Sequence, residues 1–289
     1  MLYLKYFGLR EAPFGITPDT SFFFANRSMQ EALNTLLIAV SNGEGFIKIT
    51  GEVGTGKTLL CRKFLGTLDT SAWVTGYIPN PNLEPRTLLL ALAEELSVPV
   101  SAGVDQHHLL KGIARKLLEH ARLRKRVVLC MDESQAMPLE TLETVRLLTN
   151  LETEKRKLLQ VVLFGQPELD KKLASASIRQ LLQRITFQYD LKGLAKEEMG
   201  AYIGHRLAVA GYSGPNLMSP GAVGLLHGAS RGVPRLINIL THKALLLVYG
   251  EGGRSIERRH IRAAAHDTPA ATPFRRWWWP RLRMTRVAD

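Results

Sequence analysis

The sequence predicts an α/β fold built on a parallel sheet, followed by a small helical domain. Five short apolar segments alternate with segments of helical periodicity through the first two thirds of the chain. Beyond about residue 195 the strand signals stop and only helical segments follow. Strands that alternate with helices pair in parallel through right-handed crossovers, so we expect helices on both faces of the sheet.

The segment boundaries follow from apolar spacing and from Gly, Pro and Asn breaks. We predict strands at 45–50, 73–78, 127–131, 159–164 and 185–191. We predict helices between them at 59–68, 87–96, 106–122 and 139–149, and further helices at 197–210, 220–230, 234–249 and 256–266. These segments predict a core domain at 1–194, a helical lid at 195–266 and a tail at 267–289.

Composition indicates a globular protein with an anionic partner. The chain has 289 residues, 45% of them hydrophobic and 22% charged, which excludes disorder throughout. Lys and Arg number 38 against 26 Asp and Glu, a net charge of +12 that suits phosphates, nucleic acid or an anionic membrane. Two cysteines exclude a disulfide framework and fit a reducing compartment. We expect a cytoplasmic chain that does not cross a membrane, because no signal peptide or spanning segment is visible.

A phosphate-binding loop follows the first predicted strand and precedes a predicted helix. It matches G-x-x-x-x-G-K-[ST] at every fixed position and comprises Gly51, Glu52, Val53, Gly54, Thr55, Gly56, Lys57 and Thr58. Glycines let backbone N–H groups turn toward a phosphate, and the helix N-terminus adds a positive dipole end. We therefore expect a nucleoside triphosphate as ligand, with Lys57 on the β- and γ-phosphates and the Thr58 hydroxyl on Mg²⁺.

Two adjacent acids end the most strand-like segment of the chain. We expect Asp132 to support Mg²⁺ and Glu133 to act as the base that deprotonates an attacking water. A second acid in this position favours a hydrolysing NTPase over a small-molecule kinase. A loop-start Asp-Glu pair without any role is the alternative.

Other polar residues are candidates for sensing the γ-phosphate. Gln166 follows the fourth strand and would point toward that phosphate if this strand lay between the other two motif-bearing strands; otherwise it is a turn residue before Pro167. Arg235 opens a lid helix, where the helix dipole disfavours a cation unless an anion is near. Arg184, or alternatively Arg179, could reach a neighbouring subunit's nucleotide, or lie on a solvated helix face.

Taken together, these motifs resemble an AAA+ ATPase. The resemblance is carried by the loop at 51–58, the acids Asp132 and Glu133, Gln166, and the lid motif Gly232-Val233-Pro234-Arg235. The N-terminal pattern is sharper: Tyr6-Phe7-Gly8-Leu9, Pro13-Phe14, Thr17-Pro18-Asp19 and Phe22 are similar to the opening of the ExeA/GspA branch of secretion ATPases, especially the MshM-type proteins of MSHA pilus biogenesis.

This resemblance implies an ASCE-type P-loop sheet of order 5-1-4-3-2, Mg-ATP hydrolysis and a nucleotide-dependent homo-oligomer. It also implies pilus or secretion-system partners and peripheral work at the bacterial inner membrane. Ser134 stands where the branch usually has Ala, a small departure. ExeA-like relatives continue into a membrane span and a peptidoglycan-binding domain, so we do not expect cell-wall binding from this chain.

Two basic segments leave other partners open. The tail carries Arg275 and Arg276 before Trp277-Trp278-Trp279, a composition suited to an anionic membrane surface, although an unpartnered tail or a protein-docking peptide is equally compatible. Lys111, Arg115, Lys116, Arg122, Arg124, Lys125 and Arg126 form a second cluster. A solvated helix face explains that cluster most simply, but it keeps alive a DNA-associated AAA+ ATPase of the transposition-regulator type. A nucleotide-switched scaffold with slow hydrolysis is a further alternative.

Overall fold

The computed structural model describes residues 2–101, 103–153, 156–175 and 178–272. A five-stranded parallel sheet forms its centre, and a separate two-stranded antiparallel hairpin lies beside it. In chain order the strands are β1 (Phe46–Thr50), β2 (Trp73–Ile78), β3 (Arg126–Met131), β4 (Glu152–Thr153), β5 (Arg156–Lys157), β6 (Gln160–Gly165) and β7 (Ile185–Asp190), with β4 and β5 making the hairpin.

The order of the sheet is β2-β3-β6-β1-β7. Counted along the chain without the hairpin, this is the expected 5-1-4-3-2 arrangement, so the predicted fold class is confirmed. The central strands β1 and β6 are buried throughout, as their apolar sequences require in a sheet covered on both faces. The edge strand β7 alternates between half-buried and exposed residues because one of its sides faces solvent.

Among the described residues, the α-helices include all eight that were predicted, with ends shifted by a few residues, and four more. The helices are α1 (Leu2–Phe7), α2 (Arg27–Asn42), α3 (Lys57–Leu65), α4 (Pro85–Glu95), α5 (Gln106–Arg122), α6 (Leu139–Leu148), α7 (Glu168–Leu173), α8 (Arg179–Leu182), α9 (Met199–Val209), α10 (Pro220–Ser230), α11 (Pro234–Gly250) and α12 (Arg258–His266). Three of the four unpredicted helices have six residues or fewer, too short for periodicity to reveal. No helix in the described part of the chain has the length and apolar character needed to cross a bilayer.

Helix α2 is the substantial element that the sequence prediction missed. The Asn26 side chain caps it by accepting a hydrogen bond from the Met29 amide at 2.8 Å, and Gly43 ends it with a φ of 83°. Met29, Ala32, Leu36 and Val40 are buried along one face and pack toward β7 and α3. Both the caps and the spacing are visible in the sequence, so this helix was predictable.

Apolar side chains form one cluster on each face of the sheet and a third cluster in the helical part. On one face, α4, α5 and α6 contribute Leu88, Leu92, Ile113, Leu117 and Leu142. On the other, α2 and α3 contribute Leu36, Val40, Leu60 and Phe64. This two-sided cover holds the carboxyl ends of β1, β3 and β6 at one edge of the sheet.

The N-terminal segment packs with the helical lid, although the prediction grouped it with the core domain. Phe7, Phe14 and Phe22 join the apolar cluster of α9 to α12. Arg206 of α9 fixes the segment: its Nε donates to the Pro13 carbonyl at 2.5 Å, and its guanidinium lies 4.6 Å from the Phe22 ring centre. Large aromatic side chains are stabilised most where they are most fully removed from water, and in this structure that place is the lid. The boundaries at 194/195 and 266/267 stay a prediction.

Replacement of Arg206 tests this attachment. In Arg206→Ala the Pro13 carbonyl loses a buried donor and Phe22 loses its cation contact, so we expect the free energy of unfolding to fall by about 1–3 kcal/mol. A urea titration followed by circular dichroism measures this change. The exposed Arg262→Ala is the control and should leave the midpoint unchanged; an unchanged midpoint in Arg206→Ala would contradict the attachment.

Candidate functional site

The phosphate-binding loop connects β1 to α3 and contains two glycines in the left-handed region. Gly54 has a φ of 82° and Gly56 a φ of 104°. A Cβ atom at Gly56 would lie 2.4 Å from Met29 Cε, and one at Gly54 would lie 2.6 Å from Arg235 Cβ. Both positions therefore favour glycine for backbone conformation, and Gly54 needs it for space as well, because the flexible end of Met29 can move whereas the Cβ atom of Arg235 cannot.

Lys57 is buried at the first turn of α3. Its Nζ donates to the carbonyls of Gly51 at 2.7 Å and Glu52 at 3.0 Å. Burial lowers the pKa of Lys57 below its ordinary value, although the charges of Glu133 and Asp132 oppose that shift. The two carbonyl dipoles only partly replace the water that the ammonium group loses on burial. An anion beside Lys57 would therefore stabilise its charged form.

Thr58 and Asp132 meet across the site. The Thr58 hydroxyl donates to Asp132 Oδ2 at 2.5 Å, and the Asp132 side chain is buried at the end of β3. Burial raises the pKa of Asp132, while the Thr58 hydrogen bond works in the opposite direction. Within the described ranges no group of three or more His, Cys, Asp and Glu side chains is arranged to hold a metal. An oxygen pair of this kind instead suits Mg²⁺, which takes few protein ligands beside phosphate and water.

A hydrogen-bonded network surrounds Glu133. Its carboxylate accepts from Gln135 Nε2 at 2.6 Å and from Gln166 Nε2 at 3.1 Å. Gln135 Oε1 also accepts a hydrogen bond from the backbone N–H of Gln166 at 3.0 Å, so Gln135 links the end of β3 to the end of β6. Gln166 can reach Glu133 because β6 lies between β3 and β1. Gln135 belongs to none of the predicted motifs, and only its place two residues after the second acid could have indicated it.

Glu133 adopts a left-handed backbone conformation, with a φ of 52°. A residue with a Cβ atom enters this region at a cost of about 1 kcal/mol or more. Such strain persists where the surroundings fix a side chain in place, and here the two glutamines fix it. Ser97, Arg124 and Arg231 share this conformation, so it is the contact of Glu133 with the two glutamines that supports it as a functional candidate.

Arg235 brings the lid against the loop. Its backbone N–H donates to the Gly54 carbonyl at 3.1 Å. Arg184 is not part of this cluster: its guanidinium donates to Asn150 Oδ1 on the surface beside α6, and Arg179 is exposed on α8. The structure thus brings together the predicted residues of the loop, both acids, Gln166 and Arg235, and leaves both candidate trans arginines outside.

Two cavities flank Arg235. The smaller, of about 180 Å³, lies between the loop, the N-terminal segment and the lid; it is lined by Lys57, Thr58, Glu133, Gly15, Ile16, Thr17, Pro18, Tyr202, Arg206 and Asn238 among others. Asn238 Nδ2 donates to the Gly15 carbonyl at 3.0 Å, which holds this wall in place. The larger, of about 640 Å³, lies between Glu52, Asp190 and Arg231. The sequence analysis did not assign the N-terminal and α9 side chains to the site.

Solved structures share this architecture. The ORC2 protein of Aeropyrum pernix superposes with a TM-score of 0.64 over 89% of this chain and 73% of that chain, at 16% identity. The RuvB Holliday junction branch migration motor of Thermotoga maritima gives a TM-score of 0.56 over 85% of this chain and 70% of that chain, also at 16% identity. At this identity the likeness establishes the fold alone.

Comparisons of the sequence point to AAA proteins of secretion systems. The AAA domain family matches residues 40–173. General secretion pathway protein A of Aeromonas hydrophila is 41% identical over 266 residues, which are 92% of this chain and 48% of that protein. The chain thus spans about half the length of this curated relative. The AAA domain and the 41% identity over 92% of the chain confirm the predicted resemblance to the ExeA/GspA family of AAA proteins.

Proposed function

We propose that the chain binds Mg-ATP between the sheet edge and the lid and hydrolyses it. One observation carries the proposal: a buried ammonium, a buried carboxylate and a hydroxyl converge beside a glycine loop, at Lys57, Asp132 and Thr58. Both buried charges have pKa values shifted toward their neutral forms. A triphosphate with its metal offers Lys57 and Asp132 the opposite charges that would favour their ionised forms.

The roles of the binding residues follow from these positions. Lys57 would leave the Gly51 and Glu52 carbonyls and contact the β- and γ-phosphates, and the loop amides of 53–58 would hold the same oxygens. Thr58 and Asp132 would hold Mg²⁺, Thr58 directly and Asp132 through water. Mg²⁺, when bound, would neutralise part of the phosphate charge.

Glu133 is the proposed general base. Its carboxylate would accept a proton from the water that attacks the γ-phosphorus, and the two glutamine amides keep it oriented. Gln166 and Arg235 are the proposed contacts to the γ-phosphate, since both border the same region. Loss of that phosphate would change the contact between Arg235 and the loop, and with it the lid position.

The nucleoside would lie between the N-terminal segment and the lid. Gly15, Ile16 and Pro18 provide backbone and apolar surface on one side, and Tyr202 and Asn238 lie on the other. The 180 Å³ cavity is smaller than the roughly 300 Å³ or more of most ligand pockets. We therefore expect this cleft to widen when the nucleotide binds, by movement of the lid away from Gly54.

The wider role rests on the family. We propose that nucleotide-dependent homo-oligomers work with pilus or secretion-system components of the MSHA type, at the cytoplasmic face of the inner membrane. Arg184 or Arg179 would reach a neighbour's nucleotide, which suits their location on the surface away from their own cleft. The Trp/Arg tail proposed to touch the membrane lies, from residue 273 onward, outside the described residues.

Replacement of Lys57 tests nucleotide binding. Lys57→Ala removes the buried cation, so we expect ATP affinity to fall by at least about 30-fold. Fluorescent-nucleotide titration with Mg²⁺ measures the loss. Lys63→Ala, on the exposed side of the same helix, is the matched control and should bind as the parent does. Parent-like affinity in Lys57→Ala would refute the site.

Replacement of Glu133 tests hydrolysis separately from binding. Glu133→Gln keeps an acceptor for both glutamines but cannot accept the proton, so we expect kcat to fall about 10²–10⁴-fold with affinity retained. Phosphate release measures turnover. Glu140→Gln, at an exposed position of α6, is the control. If Glu133→Gln turns over at the parent rate, Glu133 is not the base.

Gln135 is proposed as a positioning residue that acts through Glu133. Gln135→Ala removes one donor to the carboxylate and one acceptor for the Gln166 amide. We expect kcat to fall about tenfold while KM and nucleotide affinity stay unchanged, because the phosphate contacts are intact. Gln180→Ala on α8 serves as the control. A rise in KM without a fall in kcat would assign Gln135 to binding instead.

A further inference from the structure

A second concentration of positive charge lies at the amino end of the sheet. It consists of the turn between α5 and β3 and the adjacent hairpin, and we name it the basic turn surface: Arg122, Arg124, Lys125, Arg126, Arg156 and Lys157, with Leu118 and Leu123 among them. The hairpin lies beside the turn because the Arg156 guanidinium donates to the Ala121 carbonyl. Residues far apart in sequence thus share one surface.

Backbone carbonyls accept hydrogen bonds from three of the six cations of this surface. Arg126 donates to the Ser41 carbonyl at 2.8 Å, and Lys125 Nζ donates to the Thr70 carbonyl at 3.3 Å. Lys157 forms an ion pair with Glu152, whereas no ion pair within the described residues engages the other cations of the surface. Carbonyl partners orient these side chains without neutralising them, so the surface keeps its positive potential.

The proposed nucleotide does not account for this charge. Strand β3 begins at Arg126 and reaches Asp132 after six residues, a rise of about 20 Å along an extended chain. The basic turn surface and the phosphate loop therefore lie at opposite edges of the sheet. At physiological salt, exposed charges act over about 8 Å, so the two regions attract separate anions.

Leu123 distinguishes between possible anionic partners. Its exposed fraction of 70% is the highest among the exposed large apolar side chains of the described residues, and Leu118 is 40% exposed one turn before Arg122. Leu123 caps α5 and is flanked in sequence by Arg122 and Arg124. The phosphates of a DNA duplex would attract the arginines, but they provide no apolar surface for an exposed leucine. The interface of an anionic bilayer takes up both, with cations at the headgroups and an apolar side chain below them.

We propose that the basic turn surface docks the folded body of the protein on an anionic lipid leaflet, with Leu123 entering the headgroup region. This deepens the proposed peripheral location at the inner membrane by adding a contact that does not involve the tail. It does not depend on ATP hydrolysis. The nucleotide cleft, at the opposite edge of the sheet, would then face away from the leaflet.

Vesicle sedimentation of full-length variants tests the proposal. The parent, Leu123→Ser and Arg122→Glu are mixed with vesicles of phosphatidylglycerol and phosphatidylcholine, with pure phosphatidylcholine vesicles, and with a short DNA duplex. We expect each substitution to weaken binding to the anionic vesicles about fivefold or more. Leu147→Ser, an exposed leucine on α6, and Arg262→Glu, an exposed arginine on α12, are the matched controls and should bind as the parent does.

Two further measurements separate docking by the basic turn surface from binding through the tail and from the proposed ATP hydrolysis. The same comparison is repeated in a background in which Trp277, Trp278 and Trp279 are replaced by Ser, where the residual binding should still depend on Leu123. ATP hydrolysis without vesicles is measured on every preparation and should be unchanged in Leu123→Ser, so a missing ATPase would count against the proposed function alone.

The result that overturns the docking proposal is equally specific. Parent-like binding of Leu123→Ser to anionic vesicles would exclude leucine insertion. Loss of duplex binding in Arg122→Glu, with vesicle binding unchanged, would assign the surface to DNA. Equal binding of the parent to neutral and anionic vesicles would show that the cations play no part.

Discussion

Burial of opposite charges at one edge of the sheet is the constraint on which the rest of the site depends. The two-layer helical cover that makes β1 and β3 stable also removes Lys57 and Asp132 from water. Among the described residues, the hydrogen-bond partners of Lys57 are two carbonyls, and those of Asp132 are a hydroxyl and a backbone amide. The proposed metal–triphosphate ligand would favour the ionised forms of both side chains.

The lid is coupled to this edge through backbone contacts. The Gly54 carbonyl accepts from the Arg235 amide, and the missing side chain at Gly54 lets α11 approach so closely. Gly15 is held by Asn238, so the N-terminal segment follows the lid. Phosphate loop, lid and N-terminal segment thus enclose one cleft, and a change at the phosphate end would move the wall that borders the nucleoside end.

Local pattern predicted most of the fold. Apolar runs placed the five strands within one or two residues, because strands buried on both faces have a strong and simple signature. The sheet order came from the family resemblance, since pairing order is not encoded in any one segment. Helix α2 was missed despite its caps, and α1, α7 and α8 are too short for periodicity to show. In the site, motif spacing indicated Lys57, Thr58, Asp132 and Glu133, whereas Gln135, Arg206 and Asn238 act through tertiary contacts that sequence spacing does not report.

The shared core of the chain's two ends has a consequence for synthesis. Phe7, Phe14 and Phe22 leave the ribosome first, but their partners in α9 to α12 emerge only after the whole sheet. At about 5–20 residues per second, those aromatic side chains lack their native neighbours for roughly ten seconds or more. During that interval the nascent chain exposes a hydrophobic segment of the kind that holdase chaperones bind, while the α/β part can already fold behind it.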